Sequence, residues 1–148
     1  MLQGQSTIEV DASPQACFDL VVGLDRYPEW QSQVRSAEVI ERDGDGRPLV
    51  VETVSDARVR DIKYRLRYTH EPPGRMSWVY VDGDVKDMHG EYRFEALDGG
   101  RTKVTFRLVV DPGRRLGLLL RGPLADRVRD YVMGTTLDEL KAELERAA

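Results

Sequence analysis

The 148-residue sequence has few of the residue types from which common catalytic and metal centres are built. Its one cysteine, Cys17, excludes both a disulfide within the chain and a cysteine zinc site. Its two histidines, His70 and His89, lie apart and are too few to suggest a histidine metal site or a Ser/His/Asp triad. The sequence therefore implies neither a metal nor a cofactor.

Long apolar runs and basic stripes are also missing. The most apolar stretch, residues 116–120, is five residues long, whereas a membrane span needs about 20. No N-terminal segment joins a basic start to an apolar run, as a signal peptide does. The formal charge is −4 and the sequence pI about 5.3, which argues against nucleic acid as a partner. Together with the single thiol, these absences predict a cytoplasmic protein without stable membrane insertion.

What is present suits one soluble domain that spans residues 1–148. Hydrophobic residues make up 41% of the chain and charged residues 32%, which is ordinary for a packed globular domain. A chain of this size buries roughly 70% of its unfolded surface, enough for one core. No repeat and no long linker divides it.

Two short helices are predicted after a first strand at residues 7–10. Ser13 and Pro14 form a helix start, with Ser13 as the N-cap and Pro14 at the first helical position. Apolar residues three to four apart continue this helix to Gly23. A second short helix is predicted over residues 24–30.

From residue 34 onward, apolar residues recur with the two-residue period of strands. Six further strands are predicted, at residues 34–42, 49–55, 58–68, 76–81, 88–95 and 103–110. Turns rich in aspartate, glycine and proline separate them. Tyr64 and Leu66 alternate with Arg65, so the sheet has one buried and one wet face. The pattern leaves open whether Trp78 and Tyr80 or the valines beside them face inward.

The C-terminal region returns to a helical pattern. Its apolar stripe consists of Leu116, Leu120, Leu124, Val128 and Val132, and it continues with a drift around the axis through Met133, Leu137, Leu140 and Leu144. A Gly-Pro pair at residues 122–123 interrupts it, which predicts a short piece, a break and then a helix of roughly 25 residues. Only this helix is long enough to cover the inner face. The sequence thus predicts an α+β fold in which a curved antiparallel sheet of six to seven strands wraps a long C-terminal helix.

Several local sequences, in this order, resemble the polyketide cyclase/dehydrase group of the START-like (helix-grip, SRPBCC) superfamily. They are residues 13–20 (SPQACFDL), 27–30 (YPEW), 42–46 (RDGDG), 90–94 (GEYRF) and 99–104 (GGRTKV). The resemblance implies a deep cavity between the sheet and the C-terminal helix. Members of the group bind lipids, quinones, sterols, hormones or polyketide intermediates, and some are aromatase/cyclases whose pocket arginines and tyrosines orient the substrate.

No catalytic residue of that family can be matched to a position in this chain. The arginines on clear strands, which include Arg65, Arg67, Arg93 and Arg107, fall on the wet face. Tyrosines and tryptophans gather on the opposite parity, where each buried hydroxyl needs a partner. The predicted cavity-lining residues are Trp30, Thr53, Tyr64, Leu66, Tyr68, Trp78, Tyr80, Tyr92, Phe106, Leu119, Leu120, Val128 and Met133. Residues 113–124 are predicted to form either a lid with an apolar tip or an irregular lead-in to the long helix.

Three functions remain open at this point. The first is a binding module for a small hydrophobic or aromatic molecule such as a lipid, quinone or polyketide-like compound. The second is a cyclase or dehydratase that uses the same pocket. The third is a protein-interaction subunit. A carrier predicts a mainly apolar cavity with isolated hydroxyls, an enzyme predicts a buried arginine or acid aimed into it, and an interaction subunit predicts a large exposed apolar patch.

Overall fold

The computed structural model describes residues 2–119 and 121–146. In that part of the chain, seven antiparallel strands form one curved, open sheet in the order β1-β7-β6-β5-β4-β3-β2. The strands are β1 (Leu2–Val10), β2 (Val34–Arg42), β3 (Pro48–Asp56), β4 (Asp61–Glu71), β5 (Arg75–Gly83), β6 (Asp87–Ala96) and β7 (Thr102–Asp111). The predicted α+β fold class is confirmed.

Helices occupy the positions that the capping pattern predicts. Helix α1 (Pro14–Val22) begins after Ser13, whose Oγ accepts a hydrogen bond from the Ala16 amide at 3.1 Å. A 3₁₀ helix, Leu24–Glu29, follows directly. Helix α2 (Gly113–Leu119) and helix α3 (Pro123–Arg146) complete the chain. Within the described residues, no helix combines the length and the hydropathy needed to cross a bilayer.

The first strand is longer than the sequence predicts. It begins at Leu2 rather than at residue 7, and it pairs with β7 along its whole length, from Leu2 opposite Val110 to Val10 opposite Thr102. The polar residues Gln3 and Gln5 hide this strand from a hydropathy pattern. Backbone pairing with β7 forms it regardless of side-chain type.

The hairpin between β3 and β4 also differs from the prediction. Strand β4 starts at Asp61, so residues 58–60 lie in the turn. Arg58 adopts a left-handed backbone conformation there, with φ of 70°. Its guanidinium lies 4.3 Å from the ring centroid of Tyr131 on α3, which ties the turn to the helix.

The core lies between the concave face of the sheet and helix α3. Buried residues of α3 include Val128, Met133, Leu137 and Leu140. All four belong to the predicted stripe. Leu124 departs from it because it is exposed, and Leu120 lies outside the described residues. Gly4 permits the close approach of β1 to α3, since a Cβ there would stand 2.8 Å from Met133 Cγ.

The open question on β5 is resolved by the exposure of two neighbours. Trp78 is 7% exposed and points inward, whereas Val79 is 55% exposed on the outer face. Trp78 lies opposite Gly90 of β6. A Cβ on Gly90 would meet Trp78 Cζ2 at 2.8 Å and would also collide with the Arg107 carbonyl oxygen. The missing side chain of Gly90 therefore makes the room for the indole ring.

Candidate ligand-binding cavity

A cavity with a volume of about 160 Å³ lies between the inner face of the sheet and helix α3. Its lining comes from strands, from the segment after the 3₁₀ helix and from both C-terminal helices. Most of the lining is apolar. The side chains of the sheet and of α3 do not fill the space between the two layers.

One wall is a continuous aromatic cluster that crosses four neighbouring strands. Tyr68 of β4, Trp78 of β5, Tyr92 of β6 and Phe106 of β7 contribute one ring each. The ring centroids of Trp78 and Tyr92 lie 5.7 Å apart, and those of Tyr92 and Phe106 lie 5.0 Å apart. Such tilted and edge-on arrangements are favourable for aromatic pairs. The wall therefore has fixed ring positions against which a flat ligand can pack.

Three polar pairs interrupt the apolar lining. Gln31, which is buried, donates from Nε2 to the Tyr92 hydroxyl oxygen at 3.4 Å. Gln33 donates from Nε2 to Thr136 Oγ1 at 2.9 Å, while its Oε1 is buried and has no described partner. The hydroxyl oxygens of Ser55 and Tyr64 lie 2.8 Å apart. These groups are the places where a ligand oxygen or nitrogen could be held.

The cavity tyrosines stay uncharged at neutral pH. Burial raises the pKa of Tyr68 and of Tyr92 above that of a free phenol, and the hydrogen bond from Gln31 offsets only part of the effect at Tyr92. Burial likewise raises the pKa of Tyr27, whose hydroxyl donates to the Val21 carbonyl at 2.6 Å. Among the described residues, none hydrogen-bonds the Tyr68 hydroxyl. The wall can thus donate protons in hydrogen bonds without carrying charge.

Charged side chains among the described lining residues lie at the rim and are paired. Asp56 at the end of β3 forms an ion pair with Arg35 at 3.5 Å. Arg129 of α3 pairs with Asp126 and Asp130, each at 3.3 Å. These partly exposed residues mark the side on which the cavity opens to solvent.

The structure brings nine of the predicted residues together around the cavity. They are Thr53, Tyr64, Leu66, Tyr68, Trp78, Tyr92, Phe106, Val128 and Met133. Strand parity and the helical stripe are sufficient to identify them, because both depend on local geometry. Their role in ligand binding stays a prediction.

Three predicted lining residues lie elsewhere. Trp30 is buried behind the cavity, where its ring packs edge-on against Tyr27 with centroids 5.0 Å apart. Tyr80 is half-buried and donates its hydroxyl proton to the Val85 carbonyl at 2.6 Å. Leu119 is 50% exposed, because the end of α2 turns away from the core. A fourth predicted residue, Leu120, lies outside the described residues.

Sequence reasoning missed the polar residues Gln31, Gln33 and Thr136. The two glutamines lie between the 3₁₀ helix and β2, in a segment without helical or strand periodicity, so no pattern marks them as inward. Thr136 was detectable, because it stands three residues after Met133 and four before Leu140 on the buried face of α3.

The single cysteine is buried, and the strand arginines lie on the face that the sequence predicts. Cys17 is fully buried, and burial raises the pKa of its thiol to about 11, so it is inert at neutral pH. Arg65 and Arg93 lie on the outer face of the sheet, where glutamates pair with them. Within the described residues, Arg129 at the rim is the one arginine that lines the cavity.

Residues 10–133 match the family described as polyketide cyclase / dehydrase and lipid transport. The match covers most of the chain, including all the strands except most of β1. The chain belongs to this family. The resemblance inferred from the local motifs is therefore confirmed. No curated protein matches the sequence.

Solved structures support the fold of this family member. A START superfamily protein from Mycobacterium smegmatis is 16% identical, with a TM-score of 0.88 and all of both chains covered. A protein from Thermus thermophilus is 20% identical, with a TM-score of 0.83 and 99% of each chain covered. The Zhui aromatase/cyclase from a Streptomyces species is 18% identical, with a TM-score of 0.74, 97% of this chain and 93% of that chain covered. At these identities the likeness shows the fold alone.

Proposed function

We propose that this family member binds a small, uncharged, mainly apolar ligand in the cavity between the sheet and helix α3. The observation that carries the proposal is the lining itself, an aromatic wall interrupted by a buried amide–phenol pair, Gln31 and Tyr92. Apolar and aromatic surface favours transfer of a hydrophobic molecule from water. Lipid, quinone and polyketide-like compounds all have this character.

The polar pair favours a ligand with at least one neutral oxygen. Tyr92 accepts a hydrogen bond from Gln31, so its own phenolic proton is available to a carbonyl or hydroxyl oxygen. A charged ligand group would lose hydration here without an opposite charge on the inner wall, which is strongly unfavourable. The ionic side chains at the rim are already paired. Phenols, quinones and ketones therefore suit the cavity better than carboxylates or amines.

The cavity volume supports a compact ligand. A volume of 160 Å³ is similar to that of an engineered apolar cavity of about 150 Å³ that admits benzene. A ligand of one or two rings would fill the space as it stands. Larger molecules would require the rim, which includes Leu116 of α2 and Val128 of α3, to move outward.

The experiment that tests the proposal is native mass spectrometry of the protein purified from its own host, followed by titration with uncharged phenols, quinones and ketones. We expect a bound small molecule or saturable binding by calorimetry, weakened about tenfold by Gln31→Leu. The matched control is Gln15→Leu at an exposed position of helix α1, which should bind as the unchanged protein does. Clean apo protein that binds none of these compounds would refute the proposal.

A cyclase or dehydratase reaction is the second candidate, favoured by one observation. The Tyr68 hydroxyl lines the cavity and is protonated, so it could donate a proton to a carbonyl oxygen of a bound polyketide-like substrate. Incubation with a poly-β-ketone mimic should then yield a dehydrated ring detectable by mass spectrometry. Tyr68→Phe should reduce turnover while leaving binding intact. Equal turnover in both proteins would exclude this role for Tyr68.

A further inference from the structure

The segment that borders the cavity opening has a charge unlike that of the rest of the chain. We define the rim segment as residues 113–119 and 121–129, which comprise α2 and the start of α3. It contains five arginines and one aspartate, whereas the whole chain carries a formal charge of −4. Positive charge is therefore concentrated in one short stretch of an acidic protein.

The arginines of the rim segment are mostly without ion-pair partners. Arg129 is paired with two aspartates. Arg114, Arg115, Arg121 and Arg127 are exposed and have no described carboxylate within 4.0 Å. Some arginines on the sheet, such as Arg65 and Arg93, are by contrast engaged by glutamates, whereas Arg67 and Arg107 have no described carboxylate partner. The four unpaired guanidinium groups are thus available to external anions.

Apolar side chains project from the same segment. Leu118 is 62% exposed, and Leu119 and Leu124 are also exposed. They account for three of the six large hydrophobic side chains that are exposed in the described part of the chain. Exposed apolar residues that gather beside unpaired cations mark an interaction surface rather than ordinary scatter.

The rim segment is continuous with the cavity wall. Leu116 of α2 and Val128 of α3 are buried and line the cavity, while the exposed leucines and arginines lie within a few residues of them. A surface that docks through this segment would therefore lie beside the opening. That position is where an apolar ligand enters or leaves.

We propose that the rim segment docks on an anionic phospholipid bilayer, with Leu118 and Leu119 in the headgroup–acyl boundary and the unpaired arginines on lipid phosphates. Basic residues beside exposed leucines suit this interface, and arginine binds phosphate with paired hydrogen bonds. The acidic remainder of the chain is repelled by the same surface, so the protein approaches with the cavity opening toward the membrane.

The test is co-sedimentation of the full chain with vesicles of phosphatidylcholine alone and of phosphatidylcholine mixed with phosphatidylglycerol. We expect binding to the mixed vesicles, little binding to phosphatidylcholine, and loss of binding at high salt because exposed charges are screened. Leu118→Asn with Leu119→Asn, and separately Arg114→Gln with Arg115→Gln, should each weaken binding by about tenfold or more.

Matched controls change the same chemistry on the outer face of the sheet. Val79→Asn with Val81→Asn removes exposed apolar side chains, and Arg67→Gln with Arg107→Gln removes two charges. Both pairs should bind vesicles as the unchanged protein does, and circular dichroism should show that every variant is folded. No binding to the mixed vesicles, binding that the leucine variants retain in full, or equal losses in the controls would overturn the proposal. Vesicle binding is measured without a ligand, so its failure is distinct from failure of ligand binding in the cavity.

Discussion

The two faces of the sheet are built from the same strands but are stabilised by different forces. Glu91 and Tyr92 are neighbours on β6 and both are buried, yet they point to opposite sides. On the outer face, Glu91 is held between Arg75, at 3.3 Å, and Arg93. On the inner face, Tyr92 packs against Trp78 and Phe106. The outer face therefore depends on charge pairing, and the inner face on buried area and shape.

This contrast explains why the cavity is neutral. An acid on the outer face is tolerated because two guanidinium groups and the nearby solvent compensate its partial dehydration. The inner face offers no such compensation, since its polar groups are amides and hydroxyls. Substitutions at neighbouring positions on the two faces should separate the contribution of charge pairing from that of buried area.

Trp78→Ala should cause the largest loss of stability, because it removes an aromatic ring that contacts Tyr68, Tyr92 and Phe106. We expect the free energy of unfolding to fall by about 3–5 kcal/mol. Val79→Ala, one residue further along β5 but exposed on the outer face, should change it by less than about 0.5 kcal/mol. Urea denaturation measures both. Similar losses in the two variants would contradict the assignment of faces.

Gly90→Ala should have the next largest effect. The added Cβ would meet the Arg107 carbonyl oxygen and the ring of Trp78, so backbone or indole must shift. Overpacking of this kind lowers the free energy of unfolding by about 1–3 kcal/mol. The control is Gly134→Ala in α3, where a Cβ meets nothing within 4 Å and helix propensity should raise stability by about 0.5–1 kcal/mol. The two variants should therefore change the free energy of unfolding in opposite directions. A decrease in both would contradict the close fit at Gly90.

Glu91→Gln should lower the free energy of unfolding by about 1 kcal/mol, because it removes the ion pairs with Arg75 and Arg93. The loss stays small because both arginines are partly exposed and solvent screens the pairs. Burial alone would raise the pKa of Glu91, but hydrogen bonds from Arg93 and Arg75 outweigh it and hold the pKa below its usual value. The contribution of Glu91 is therefore complete above the unfolded-state pKa of about 4.3 and is lost as pH falls through the lower folded-state pKa.

The measurement is the free energy of unfolding of both proteins from neutral to acidic pH. The difference in the free energy of unfolding between the variant and the unchanged protein should become smaller only at acidic pH. Glu95→Gln, an exposed position on the same strand, controls for removal of one charge. A gap that stays constant down to the lowest pH would show that the ionised form of Glu91 is not the stabilising one.

Tyr92→Phe should have the smallest effect at neutral pH, about 0.5 kcal/mol, since it removes one long hydrogen bond from Gln31. The effect of the substitution on stability should depend on pH in the alkaline range. Because burial raises the pKa of Tyr92, its contribution is complete below the unfolded-state pKa of about 10 and declines as pH rises above it. The variant should therefore lose less stability than the unchanged protein above that pH. Parallel alkaline profiles would indicate that the phenol is not dehydrated.

Much of the fold and part of the cavity could be predicted because the relevant signals are local. The alternation of Tyr64 and Leu66 with Arg65, and the cap formed by Ser13, depend on neighbouring residues only. The errors occur where distant contacts decide. Tyr80 has inward parity but is held by the Val85 carbonyl, and Leu119 ends a short helix that turns toward solvent. Gln31 lies in an aperiodic segment and turns inward because Tyr92, far along the chain, accepts its hydrogen bond.

The sequence by itself determined the order of strands and helices, and it determined which side chains share a face, because periodicity and capping act over a few residues. Only the tertiary structure decided which of the inward faces borders open space. That outcome depends on how the sheet curves around α3, on how Gly4 and Gly90 let backbone and ring approach, and on how the rim segment borders the opening. These are contacts between residues far apart in the chain, so no local pattern records them.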